Sequence, residues 1–340
     1  MFRSDKGKEM QTKLRSREKI AYTSGLLGQN MLYNFMAMYI MFFFTDLLGI
    51  KAGVATILVV VASLWDAIND PLMGMIADKT RTRWGKFRPY LIFGPIPLAL
   101  ATILCYSKFN LTGPAIVIYA GICYILWGMS YTVIDIPIWA ISAVVSKDPL
   151  EKNKMVTLGK IGGTVGAAIV TVGSIIIING FGGERLASAY TKTATIIALL
   201  GVSMIMMTGF TVKERIFPDT EIIPMRKNIQ TITKNKPLVL LMISLLVVNL
   251  INGIRQSAQM YFVVYVWGDS SQLINVGISL ILGMVLGMAV SPKLLEKVEK
   301  KRVYITACIL GSIFSAIPFF VGGKNILFSL ILLGISFAFT

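Results

Sequence analysis

Histidine is absent from these 340 residues, and cysteine occurs three times. Without His there is no imidazole base, no His-based proton relay and no familiar zinc spacing. Cys105, Cys123 and Cys308 are widely spaced and fall inside apolar stretches, so no disulfide framework is expected. Charge is scarce too: 15% of residues are charged and 55% are hydrophobic, with a mean hydropathy of +0.71. A soluble domain needs far more charge on its surface. Segments alternating apolar and polar residues are also lacking, which argues against a membrane-spanning barrel.

What the chain does have is a succession of apolar stretches of roughly 20 residues, each long enough to cross a ~30 Å hydrocarbon core as a helix. The pattern predicts spans at 21–45, 52–77, 89–107, 114–145, 156–178, 193–212, 237–267, 273–291 and 303–321, with a tenth starting near 325. The last stretch is too short to span comfortably, and the chain is expected to stop inside that helix. The basic N-terminus is followed by an apolar segment too long and too polar for a signal peptide, so it reads as the first span.

Basic residues outnumber acidic ones by 33 to 17, but their position argues against nucleic acid as the partner. The N-terminal tail, Lys79–Arg88, Lys147–Lys154, Lys213–Lys236 and Lys293–Arg302 hold 26 of the 33. These are alternate loops, so the N-terminus and the basic loops are expected to face the cytoplasm of a bacterial-type inner membrane. Some of them would also meet anionic lipid. The longest such loop suggests a division into a tail (1–20), a six-helix bundle (21–212), a central loop (213–236) and an incomplete second bundle (237–340). That pattern predicts an all-α, two-bundle transporter of the major facilitator type.

Ionisable groups inside a span cost about 2.5–3.5 kcal/mol each on insertion scales, so they are candidates for function. Asp66, Asp70, Asp135, Lys160 and Arg255 fall at such depths. Asp66, Asn69 and Asp70 occupy i, i+3 and i+4, one face of a helix. Two carboxylates that close repel, so either one is protonated or a cation sits between them. Hard oxygen ligands suit Na⁺ at Asp66 and Asp70, and protonation of the same pair suits H⁺. Pro71 just beyond would free a backbone carbonyl as a further ligand. In the fourth span Tyr131, Thr132, Asp135 and Trp139 share a face. Asp accepts sugar hydroxyls and a Trp plane meets the apolar side of a pyranose. Lys160 borders a glycine run (Gly159, Gly162, Gly163, Gly166) suited to close helix packing, and is expected to point into the cavity. Asp78 sits at a helix C-terminus, where the dipole disfavours an anion. It needs a cation from among Arg81, Arg83, Lys86 and Arg88, and the group reads as a cytoplasmic charge latch.

WDAINDPLMG (Trp65–Gly74) followed by TRTRWGKFRPY (Thr80–Tyr90), YILWGMSYTVIDIPIW (Tyr124–Trp139) and, more softly, INGIRQSAQMYFVVYVWGD (Ile251–Asp269) carry a resemblance. Together they resemble the glycoside–pentoside–hexuronide:cation symporters of the major facilitator superfamily. The resemblance implies twelve helices, no cofactor beyond a coupling Na⁺ or H⁺, and alternating access with a sugar or glycoside substrate. It implies cation ligands at Asp66, Asn69, Asp70 and Thr132, and sugar contacts at Asn30, Tyr131, Asp135, Trp139 and Lys160. Two positions depart from the family: Asn30 stands for an Asp, preceded by Gln29 rather than Lys, and Lys160 stands for an Arg. Helices 11 and 12 and most of 10 are missing from the pattern, so a shortened reading frame is expected rather than a natural ten-helix carrier. A sugar sensor without flux, or a membrane-bound transferase, are the alternatives.

Overall fold

The computed structural model describes residues 14–216, 233–269, 271–321 and 326–339; much of the central loop expected at 213–236 lies outside them. It is a helical bundle: α1 (Ser16–Phe42), α2 (Ala52–Lys79), α3 (Arg88–Cys105, turning at Gly94), α4 (Pro114–Val144), α5 (Pro149–Gly180), α6 (Ala187–Thr211), α7 (Lys236–Tyr261), α8 (Gln272–Lys297), α9 (Lys300–Val321) and α10 (Ile326–Phe339). These ten coincide with the ten expected spans. Some ends lie up to two turns beyond the expected spans, as at Pro149, Ala187 and Lys297, where polar residues continue the helix past the apolar stretch. Among the described residues, α2 to α6 are each long and apolar enough to cross a membrane. Proline starts α4 and α5, where its missing N–H costs nothing, and Asp148 caps α5 by accepting the Leu150 N–H at 2.9 Å.

α5 and α6 pack on α1, and small residues decide how closely. On α5, a Cβ at Gly162 would lie 2.2 Å from the Thr23 carbonyl oxygen, and one at Gly166 2.3 Å from that of Leu27. On α1, a Cβ at Gly28 would lie 2.6 Å from the Gly201 carbonyl oxygen of α6. Both crossings of α1 are therefore near backbone contact, which the glycine spacing permits and any side chain would prevent. Beyond them, Phe35, Tyr39, Phe43, Tyr106 and Tyr190 form a buried aromatic cluster, pinned where Tyr106 donates to the Phe35 carbonyl at 2.9 Å. α2 packs chiefly on α4 and leaves Ile57, Leu64, Ile68 and Leu72 exposed.

The end bearing the basic loops is tied by carboxylates. Glu18, which precedes the apolar part of α1, accepts from Arg215 at 2.8 Å and from the Arg15 and Lys213 N–H groups. Arg215 in turn donates to the Val145 carbonyl at 3.1 Å. Three segments far apart in sequence meet there. Burial pushes the Glu18 carboxyl up, but the Arg215 and backbone hydrogen bonds outweigh it and hold the group below its ordinary value of 4.5. A depressed folded value means the contribution is fully present above about pH 4.5 and is lost as pH falls through the folded value. Glu18→Gln should therefore cost about 1–3 kcal/mol at neutral pH and flatten the acid limb of the stability curve, read as melting temperature in detergent from pH 7 down to pH 3. An unchanged acid limb would remove Glu18 from this role.

Glu214 makes a second tie. Its carboxylate accepts three successive N–H groups at the start of α3, from Lys86 and Phe87 at 2.8 Å and Arg88 at 3.0 Å. Gly85, at φ +118°, lets the chain turn beneath it; a Cβ there would meet Glu214 Oε1 at 2.6 Å.

At the opposite end the two halves touch. α1 and α7 both finish in wider π-helical turns, Phe43–Leu47 and Phe262–Trp267. Thr45 and Tyr261 share a hydrogen bond at 2.8 Å, and the Tyr265 hydroxyl donates to Asp46. Nearby, Gly277 of α8 lies so close to α5 that a Cβ would meet Val172 at 2.5 Å. Together these contacts form a seam between the first six helices and the rest.

Candidate functional site

The carboxylates singled out in the sequence converge where α1, α2 and α4 meet. Thr132 of α4 donates to Asp70 Oδ1 of α2 at 2.8 Å. Gly128, one turn earlier on α4, makes room for Asp66: a Cβ there would come within 2.9 Å of Asp66 Oδ1. Gly121 does the same for Leu58, so a glycine each two turns seats α2 on α4. Asp70 is near enough to both Asp66 and Asp135 to repel them. Pro71 has no N–H to offer the Ala67 carbonyl four residues back. The Asn69 amide is adjacent, its Nδ2 buried without a hydrogen-bond partner.

No ion pair among the described residues involves Asp66, Asp70 or Asp135. The described residues also bring no three His, Cys, Asp or Glu side chains into metal-binding reach. The polar groups gathered on this part of α2 and α4 are the Asp66 and Asp70 carboxylates, the Thr132 hydroxyl and the Asn69 amide.

On the α4 side, Tyr131 is held between rings, 5.1 Å from Trp127 and 5.5 Å from Tyr33. Asp135 lies beside it, within hydrogen-bonding reach of Trp139 one turn further on. The α1 partner of this group is Gln29, whose Nε2 donates to the Tyr131 hydroxyl and to Asp135 Oδ1, each at 2.5 Å. Asn30, the position the family resemblance singled out, turns aside. Its Nδ2 donates to the Leu26 carbonyl and to Gln29 Oε1, and it abuts Gly163 of α5. Periodicity put both residues near one face of α1, but only the crossing angle of α1 over α4 decides which one reaches Asp135. Lys160 is exposed on α5 and forms no ion pair with the aspartates. The side chains of Asn249, Asn252, Arg255 and Gln256 lie outside the described ones; Gln259 is described, with Nε2 buried and unpartnered.

Of the basic residues expected near Asp78, Lys86 is the one that pairs with it, at 2.7 Å. Arg88 instead donates to the Gly209 and Phe210 carbonyls, closing the end of α6. Arg81 and Arg83 are exposed, Arg83 lying over the Trp84 ring at 4.9 Å. Glu18 and Glu214 were not singled out in the sequence. Their only signal was acidic character inside basic, loop-flanking segments.

A helical membrane bundle with a mid-span cluster of carboxylates and a facing aromatic–carboxylate group is the architecture of a major facilitator-type transporter, and the solved structures it resembles agree. It superposes on the nucleoside transporter NupG with a TM-score of 0.66 at 17% identity, over 95% of this chain and 80% of that one. It superposes on the inward-open xylose transporter XylE from E. coli with a TM-score of 0.61 at 14% identity, over 95% of this chain and 79% of that one. The chain belongs to the family described as MFS/sugar transport protein, whose model matches residues 21–340. It is 30% identical over 305 residues to the inner membrane symporter YicJ of Escherichia coli, covering 90% of this chain and 66% of YicJ. It is 27% identical over 297 residues to the isoprimeverose transporter of Lactiplantibacillus pentosus, covering 86% of this chain and 62% of that protein. The chain thus spans slightly under two thirds of the length of these relatives. The relatives are named as transporters, which sets aside the transferase alternative.

Proposed function

We propose that this chain forms the greater part of a secondary transporter that carries a sugar or glycoside across the membrane together with Na⁺ or H⁺. The observation that carries the reading is the Asp66/Asp70 pair, free of any described ion pair and joined through Thr132 to the helix that bears Tyr131, Asp135 and Trp139. A cation, or a proton, at the pair removes the repulsion among Asp66, Asp70 and Asp135. Neutralising Asp70 also relieves Asp135, so ion binding and sugar binding favour each other, and linkage makes the two effects equal. Cation ligands are Asp66, Asn69, Asp70 and Thr132; sugar contacts are Tyr131, Asp135 and Trp139, with Asn30 and Lys160 at the margin. Lipid surrounds the bundle, the basic loops face the cytoplasm, and the ion is the sole auxiliary group.

The seam at Thr45, Asp46, Tyr261 and Tyr265 supports alternating access, because it joins the halves at one end through few, breakable hydrogen bonds. The Asp78–Lys86 pair, part of the expected latch with Arg81, Arg83 and Arg88, lies at the other end. The test is uptake of labelled glycosides into vesicles under an imposed Na⁺ or H⁺ gradient, using a chain with the full length of its relatives. Accumulation should follow one of the two gradients and collapse with it. Equilibrium binding without accumulation or counterflow would instead identify a sensor.

A further inference from the structure

At the end bearing the basic loops, α1 and α6 leave a groove between them. Arg17, Ile20 and Ala21 of α1 and Met207 and Thr211 of α6 surround a hollow of about 280 Å³. Each set shares one helical face, through i, i+3 and i+4 spacings. The helices are pinned at the floor, where Thr208 Oγ1 donates to the Ala21 carbonyl at 2.7 Å. Ala21 is 2% exposed and brings only a methyl group, so the space above it stays open. Both helices grade from polar to apolar in the same direction. α1 starts at Ser16 and α6 ends at Thr211. Ile20 therefore lies about 4.5 Å deeper along its helix than Arg17, and Met207 about 6 Å deeper than Thr211. Ile20 and Met207 are both exposed. A soluble anion would use the mouth of this groove alone, whereas an amphiphile uses its whole length.

The positive charge at the mouth is unmatched. Lys19 pairs with Glu151 at 2.7 Å and Arg215 with Glu18 at 2.8 Å, so the buried carboxylates at this end of α1 are already held by bases. Arg17 is exposed and in no ion pair among the described residues, and the Thr211 hydroxyl bonds none of them. We propose that the groove binds an anionic phospholipid of the surrounding leaflet, with its phosphate at Arg17 and Thr211 and the start of an acyl chain along Ile20 and Met207. A guanidinium meets phosphate oxygens two at a time, and the hydroxyl adds a third donor. A zwitterionic headgroup also brings an ammonium, and no carboxylate lines the groove to receive it. None of the candidate transport residues lines it either, so the site stands whatever the protein carries.

The test uses the chain at the full length of its relatives, purified in detergent, with phosphatidylglycerol, phosphatidylethanolamine or inorganic phosphate added. Mass spectrometry of the intact complex counts retained lipid, and melting temperature with and without lipid reports binding to folded protein. Phosphatidylglycerol should be held at least about tenfold more tightly than phosphatidylethanolamine. Inorganic phosphate should leave the melting temperature unchanged. Arg17→Gln should weaken phosphatidylglycerol binding about tenfold and Thr211→Val about threefold, with lipid-free melting as in the wild type. Lys301→Gln makes the same charge change at the exposed start of α9 and should have little effect. Equal retention of the two lipids by the wild type overturns the proposal, and that arm needs no variant. Equal losses from Arg17→Gln and Lys301→Gln also overturn it, because they mean only a general attraction of basic side chains to anionic lipid. Stabilisation by inorganic phosphate that matches that of the lipid would identify a soluble-anion site and overturn the lipid assignment.

Discussion

Asp70→Asn is expected to abolish stimulation of sugar uptake by the coupling ion. The Thr132 hydroxyl can still donate to the oxygen of the new amide, so the α2–α4 contact seen at 2.8 Å survives. What disappears is the second negative charge. With it goes the repulsion that makes an ion favourable between Asp66 and Asp70 and that ties ion binding to Asp135. Coupling of this kind amounts to about 1–3 kcal/mol, a 5- to 150-fold effect on affinity, and the variant should lose nearly all of it. Downhill exchange of sugar should continue at a rate insensitive to either gradient. Undiminished stimulation of uptake by both Na⁺ and low pH would rule out the assigned role.

The second large effect concerns assembly. Gly162→Ala should destabilise the bundle by about 1–3 kcal/mol or more, because the added methyl lands 2.2 Å from a backbone oxygen, and backbone cannot rotate aside as a side chain can. α1 must then move off α5, shifting Gln29 relative to Tyr131 and Asp135. Gly173→Ala, on the same helix with nothing within 4 Å, serves as the matched control and should be neutral or slightly stabilising. Detergent melting temperatures of the two variants decide the matter. Equal values would mean that α1 and α5 do not cross as closely as described.

Much of this was visible in the chain itself because hydrocarbon imposes rules that act locally. A span must be apolar for about 20 residues, so the ten helices could be located, with ends off by up to two turns where polar residues continue the helix, as at Pro149, Ala187 and Lys297. A charge at depth is costly, so Asp66, Asp70 and Asp135 stood out. An i, i+4 spacing puts two side chains on one face whatever the helix packs against. The glycine run on α5 similarly announced a close crossing, though not which helix would fill it.

Tertiary structure decided what depends on two elements at once. Asn30 and Gln29 are neighbours in sequence, and only the way α1 crosses α4 brings Gln29 to Asp135 while Asn30 meets Gly163. Four basic residues were available to Asp78, and only the fold of the loop beyond α2 gives it Lys86 while Arg88 caps α6. The ties at Glu18 and Glu214 join segments separated by more than a hundred residues, so no local pattern contains them. Composition and period thus fix where the chain enters lipid and where charge lies within it, because those costs are borne residue by residue. The partner of each buried polar group is a property of helix crossings, set by the packing of distant segments.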